Sequence, residues 1–281
     1  MTKKETTIKR SVQDIVELQR KRRMIIQNRI SCSNRNKANI CARLTYNSYQ
    51  DEKTRKAMWT KAGKIFKIID ENKDLKKLKI QIQEITQDQK ITEHLMAILF
   101  IIAIAKRSIS EYNKGQKVIE AEMEEAVQKL PIHEWWASER GRAGRGLAIL
   151  IGEIGDLSNY DCPAKVWKRM GVAVIDGVRQ DGLSKNAPAE LWIEHGYVKR
   201  RRSVLHLIGD SLMKGNGASG HYKLIYNECK KKETKKLLKQ WIKDGNKKET
   251  FKLIIAHKRA LRYMEKMLLK DLWNKWHKKS A

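Results

Sequence analysis

The strongest pattern in the chain is a heptad. Ile91, Leu95, Ile98, Ile102, Ala105, Ile109, Tyr112, Gln116, Ile119, Met123, Ala126 and Leu130 follow one another at alternating steps of four and three. Such spacing keeps one apolar seam on the same side of a slightly underwound helix. It predicts a long coiled-coil helix over 88–130, about 60 Å long at ~1.5 Å per residue. Gln116 is the strongly polar member of the seam, a device that can fix register and strand number. Pro131 ends the helix, because its ring cannot continue the hydrogen-bond ladder. The expected partner for the seam is a second copy of the chain, giving a homodimer; the alternative is the preceding helices, giving an intramolecular hairpin.

Ahead of the heptad there is no proline at all, which predicts a helical first half. Over 7–30, Ile8, Val12, Ile15, Val16, Met24 and Ile25 alternate with Lys9, Arg10, Arg20, Lys21, Arg22 and Arg23, the pattern of a basic amphipathic helix. Its basic face is either solvated or an arm that tracks phosphates. The stretch 31–50 is polar and rich in Asn and Ser, and predicts a loop or weak helix. A second helix is expected over 52–69, with Trp59, Ala62, Ile65, Phe66 and Ile69 on one face, and a third over 75–85.

Beyond Pro131 the texture changes. Gly141, Gly144, Gly146, Gly152, Gly155, Gly171, Gly177 and Gly182 predict a compact domain of short helices and turns. After Gly220 the pattern is helical and heavily basic again. A last helix over 250–277 places Ile254, His257, Leu261, Met264, Leu268, Leu272 and Trp276 on a packing face. The fold expected is therefore mostly α. It reads as a basic helical region (1–87), the long coiled-coil helix (88–130), a compact helical domain (131–226) and basic C-terminal helices (227–281).

Charge then narrows the function. Among 281 residues there are 60 Lys and Arg against 32 Asp and Glu, a formal net charge of +28. So large an excess repels itself, and a polyanion whose counterions are released on binding is the natural compensation. Nucleic acid is the expected partner, DNA first and RNA second. A membrane is not expected, because the cations run from end to end instead of forming one cluster. The most apolar stretch, 95–105, is far short of the ~20 residues a bilayer span needs. With no apolar run near Met1, the chain is expected in the cytoplasm. Cys32, Cys41, Cys162 and Cys229 lie too far apart for a zinc motif, and no histidine completes one, so no metal or cofactor is expected.

The candidate chemistry lies in two segments. Gly141-Arg-Ala-Gly-Arg-Gly146 opens a short apolar helix, Gly155 marks a second turn, Pro163 starts another helix and Gly171 closes it. This order fits a helix-hairpin-helix unit, in which glycines admit a phosphate to the backbone and the next helix's free N–H groups bind it. Arg140, Arg142 and Arg145 stand around the turn, and Lys165, Lys168 and Arg169 on the following helix. The second segment is the tetrad Lys199-Arg200-Arg201-Arg202, four cations at a helix start, where they oppose the positive end of the helix dipole. An external anion would relieve them. Trp135, Trp136, Trp167, Trp273 and Trp276 are expected mostly as core anchors, and His257 as a hydrogen-bonded core residue.

The run Ile149-Leu-Ile-Gly-Glu-Ile-Gly-Asp-Leu-Ser-Asn-Tyr160, with Pro163-Ala-Lys165, Met170-Gly-Val172 and Gly196-Tyr-Val-Lys-Arg-Arg-Arg-Ser-Val-Leu205, resembles the C-terminal domain of the DEDD insertion-sequence transposases. These are the Piv/MooV-type, bridge-RNA-guided recombinases. The resemblance covers roughly 88–226 and includes the order of parts, a coiled coil ahead of this domain. It implies a DNA-binding protein of a prokaryotic cell or of a virus or mobile element within it. Two departures qualify what it implies about catalysis. The family's ribonuclease-H-like domain, with four acidic metal ligands, has no counterpart in the helical, basic residues before Asp88. The family's nucleophilic serine falls on Asp181 in Gln180-Asp181-Gly182, with Ser184 three residues on. The resemblance thus implies nucleic-acid binding, with two alternatives: a recombinase that uses Ser184 alongside a partner subunit, and, because the family is guided by RNA, a binder of structured RNA.

Overall fold

The computed structural model describes residues 3–44, 51–71, 74–139, 144–184, 186–215, 220–245 and 251–280. The chain is mostly helical, as its patterns predict. It divides into two compact units: an inserted unit of residues 21–120 and a composite unit of residues 1–20 and 121–281.

The helix α1 (Lys3–Arg43) contributes to both units. It runs straight through the Asn- and Ser-rich segment expected to be a loop. The reason is tertiary: Ile40 and Cys41 are buried, as is Asn36, whose Nδ2 is satisfied within the helix by the Cys32 carbonyl at 2.8 Å. Burial of that face overrides weak local propensity.

In the inserted unit, α2 (Glu52–Glu71) and α3 (Leu75–Thr86) start where aspartates cap them. Asp51 accepts from the Lys53 and Thr54 amides, and Asp74 from Lys76 and Lys77. Ala62, Ile65 and Phe66 are buried as predicted, whereas Trp59 is exposed. The heptad region forms α4 (Gln89–Ala97) and α5 (Leu99–Gln128). They are separated at Ile98, whose N–H turns back to the Leu95 carbonyl, three residues away. The single expected helix is thus interrupted. The seam also has partners inside the chain: Leu95 and Ile102 share a core with Ile40, Leu44, Ile65, Leu78 and Ile82. At this end the seam packs on helices of its own chain, and Leu95 and Ile102 are not an open face for a second copy.

In the composite unit, α6 (His133–Ser138), α7 (Gly144–Ile154) and α8 (Pro163–Arg169) follow, with a single 3-10 turn at Leu157–Asn159 between the last two. Gly155 takes a left-handed φ of 88° where the chain leaves α7. A two-stranded hairpin comes next, β1 (Val174–Ile175) antiparallel to β2 (Val178–Arg179). Its turn residues Asp176 and Gly177 both have positive φ, 48° and 77°, which suits a tight hairpin turn. Then come α9 (Ala189–His195), α10 (Lys199–Gly215), α11 (His221–Lys243) and α12 (Ile254–Ser280).

Helix α12 is the spine of this unit, packing against α8, α10 and α11. Leu261, Met264, Leu268, Leu272 and Trp276 are buried along it, as the pattern predicts, while Ile254 is exposed. Three tryptophans tie it to the α7–α8 region. Trp167 Nε1 donates to the Lys266 carbonyl at 3.0 Å, Trp273 to the Tyr160 carbonyl at 2.7 Å, and Trp276 to Ser158 Oγ at 3.0 Å. His257 Nδ1 and the Tyr226 hydroxyl share a hydrogen bond of 2.7 Å. The four cysteines are free thiols, and among the described residues no helix is long and apolar enough to cross a membrane.

Candidate nucleic-acid interface

Consecutive residues on a helix diverge by about 100°, so four cations in a row cannot share one surface. At the start of α10 they do not. Arg200 turns to α7, where its Nη2 lies 2.8 Å from Oε2 of Glu153 and its Nε 3.2 Å from Oε1. That carboxylate is 2% exposed and also accepts from Gln19 Nε2 at 2.8 Å. Arg202 turns to α12, with Nη1 3.0 Å from Oε1 and Nη2 2.9 Å from Oε2 of the fully buried Glu265. His206 Nδ1 stands 3.7 Å from the same group. Burial pushes the Glu265 carboxyl up to about 7, against the lowering effect of Arg202 and Arg262. Half of the tetrad therefore relieves its crowding at a helix N-terminus with internal carboxylates, where the sequence suggested an external anion. Lys199 remains exposed.

Arg201 points elsewhere. It joins Lys165, Lys168 and Arg169 of α8 around a cleft of 590 Å³, walled by Tyr160, Trp192 and Tyr197. Among the described residues no carboxylate lines this cleft. The Arg201 Nε is buried without a hydrogen-bond partner, 3.8 Å from Glu153 Oε2. Burial, joined by the charge of Arg169, holds its guanidinium below the ordinary arginine value, the signature of a crowded cation. Arg169 Nε is fixed by the Glu153 carbonyl at 3.3 Å. Lys165 pairs with exposed Asp161 one turn back. Tyr160 donates its hydroxyl to the Ile154 carbonyl at 2.7 Å, and burial raises its phenol despite Arg169 and Arg201 nearby.

Two left-handed glycines shape the cleft. Gly171, at φ 75°, ends the α8 segment against the Tyr197 ring, which an added Cβ would approach to 3.2 Å. Gly196, at φ 60°, turns the chain from α9 into α10, and its N–H caps α9 through the Trp192 carbonyl at 3.0 Å. The cleft reaches Val198, so the amide-rich start of α10 adds its dipole to the four cations.

The remaining expected site residues sit apart from this cleft. Arg140, Gly141 and Arg142 lie outside the described residues. Gly144, Arg145 and Gly146 form the first turn of α7, where Arg145 Nε pairs with Glu124 at 3.1 Å. A Cβ on Gly146 would meet the Trp136 ring at 3.5 Å, so this glycine sits against an indole. Asp181, where the resemblance places a serine, is paired with Arg262 at 2.6 Å. Ser184 is exposed, its Oγ accepting from the Asn186 amide at 3.3 Å.

Asp181 instead lines a larger groove of 1320 Å³ among the β-hairpin, α10, α11 and α12. Arg179, Lys258, Arg259, Arg262 and Lys266 also face it. Its second carboxylate, Glu233, is held by Arg259 at 2.9 Å. The sequence reading missed these cations and Trp192, since single basic residues at helical spacing carry no signal until neighbouring helices bring them together. Among the described residues no group of His, Cys, Asp and Glu could hold a metal ion. Neither a protein-family model, nor a curated protein, nor a solved structure matches the chain.

Proposed function

We propose that the chain is a nucleic-acid-binding protein, with double-stranded DNA as its first ligand, gripping phosphates through the cleft between α8 and α10. The observation that carries this reading is the convergence of Lys165, Lys168, Arg169 and Arg201 on a single concavity that no described carboxylate lines. Their charges come from two separate segments of sequence, and Arg201 holds a buried nitrogen with no partner. A phosphate oxygen is the ligand such a set fits best, because a charge-assisted hydrogen bond satisfies both the donor and the excess charge. The likeness of 149–172 and 196–205 to a transposase C-terminal domain supports the same reading, since α7, α8 and the start of α10 are built from those residues. Contacts of this kind position a duplex without reading its sequence.

The test is a salt titration of binding to random-sequence duplex, followed by fluorescence anisotropy. Each phosphate neutralised contributes about 0.9 to the slope of log affinity against log salt. Lys168→Glu is expected to weaken binding and to flatten that slope by about 0.9 or more. An affinity indifferent to salt, or a Lys168→Glu slope equal to that of the unaltered chain, would reject the reading.

One observation favours RNA as a second ligand. Trp192 and Tyr197 line the same cleft as the cations, and aromatic faces beside phosphate-binding groups suit unstacked bases. Competition between duplex DNA and a folded RNA of equal charge decides between them.

A further inference from the structure

The inserted unit carries a cationic cleft that the reading above does not use. On α1, Arg29, Ser33 and Lys37 recur every four residues and so share a face. On α5, Lys106, Ser110 and Asn113 recur at steps of four and three and share another. These six residues line one cleft of 580 Å³. Among the described residues lining it there is no carboxylate.

Two amides hold one of these cations in place. Arg29 Nη1 donates to Asn113 Oδ1 at 2.7 Å and to Gln116 Oε1 at 3.1 Å. Both acceptors are neutral. Gln116 passes the interaction on, its Nε2 donating to Glu120 Oε1 at 2.8 Å, and that carboxylate is engaged by Arg22 Nε at 2.7 Å. That acid is thus bound to a different arginine, one amide removed from Arg29. Gln116, the polar member of the heptad, acts here as an orienting amide. Lys106 Nζ sits 4.4 Å from the centre of the Phe66 ring, a cation–π contact that holds the ammonium at the cleft wall.

We propose that this cleft is an oxyanion site for a phosphate group. Arg29, Lys37 and Lys106 supply the charge, and Ser33, Ser110 and Asn113 are placed to supply neutral hydrogen bonds. A guanidinium held by amides keeps its remaining N–H groups for a ligand, and such planar donors match a tetrahedral oxyanion better than chloride. The phosphate comes either from a nucleic-acid backbone or from a small phosphorylated ligand. The site is independent of the α8–α10 cleft, so either can fail alone.

The full chain, ¹⁵N-labelled on asparagine side chains, is titrated with inorganic phosphate at ionic strength held constant with chloride. The Asn113 side-chain amide is expected to shift and saturate. Arg29→Gln and Lys37→Gln are each expected to weaken that binding about tenfold, the effect of losing one charge-assisted contact. Lys37 has the gentler role, so its variant keeps the test valid if Arg29→Gln disturbs the fold. Lys168→Glu, altered in the other cleft, is expected to leave the Asn113 response unchanged. A second arm replaces phosphate with a random duplex oligonucleotide. A saturable Asn113 shift weakened by Lys37→Gln assigns the phosphate to a nucleic-acid backbone. Saturation by phosphate without a response to the oligonucleotide assigns it to a small ligand. A shift that never saturates, or affinities untouched by both substitutions, overturns the proposal.

Discussion

Glu265 is the group whose protonation should be most visible in the stability of this protein. It lies fully buried on α12, in contact with Arg202 and 3.7 Å from His206, with Arg262 contributing a further positive charge. Burial raises its carboxyl from 4.5 to about 7. A raised carboxyl binds a proton in the folded state at pH values where the unfolded chain has already lost it. Stability from this group is therefore fully present below about pH 4.5 and is lost as pH rises through about 7. At 1.36 kcal/mol per pH unit, the shift corresponds to about 3 kcal/mol over that window. Glu265→Gln keeps the shape and a neutral acceptor for Arg202 but removes the titration. Urea unfolding of both proteins from pH 4.5 to 8, followed by tryptophan fluorescence, isolates the effect. Seven of the eight tryptophans belong to the composite unit, so the signal reports mainly the unit that contains Glu265. The stability difference should move by about 3 kcal/mol in favour of the variant as pH rises, since titrations of histidines remote from Glu265 are common to both and cancel. Parallel pH profiles, or a variant that loses ground as pH rises, would show that Arg202 keeps the carboxylate ionised and that desolvation is the weaker effect.

Two further predictions probe the packing. A Cβ at Gly152 would lie 2.5 Å from Cβ and 2.8 Å from Cγ of Gln19, atoms close to the α1 backbone, so Gly152→Ala must push α1 away from α7. It should cost about 1–3 kcal/mol and loosen the bond from Gln19 to Glu153; an unchanged melting temperature would contradict the close approach. Leu95→Asp buries a carboxylate in the core shared with Ile40, Ile65 and Ile82, and should melt the inserted unit. A variant that keeps its stability but halves its mass in sedimentation would show the seam pairing between chains.

The helices were legible where burial follows a period. The faces of α2 and α12, and the helical character of 88–130, could be read from spacing because a helix buries one stripe. The break at Ile98 could not. The Ile102 amide bonds to the Ile98 carbonyl at 3.1 Å, resuming the regular ladder, so the apolar phase continues across the interruption. The extension of α1 through 31–43 was hidden for a different reason. Its justification is Ile40 packing against residues distant in sequence, which no local propensity records. The β-hairpin escaped notice because strands of two residues show no alternation, leaving Asp176-Gly177 as the only cue.

The candidate site shows why counting charges locates a function poorly in so basic a chain. The tetrad looked like one cationic patch, yet the helix splays it. Arg200 and Arg202 turn inward to Glu153 and Glu265, two of the few acidic residues that the composite unit buries. A lone glutamate at a helical position looks like a surface residue, so neither partner could be picked out beforehand. What remains available is the residue between them. Arg201 alone of the three faces Lys165, Lys168 and Arg169, 32 to 36 residues back along the chain. The internal pairs thereby serve the cleft: by anchoring its neighbours on α7 and α12, they fix the rotation of α10 about its axis. Breaking either pair should alter how Arg201 presents its guanidinium, although neither Arg200 nor Arg202 lines the cleft.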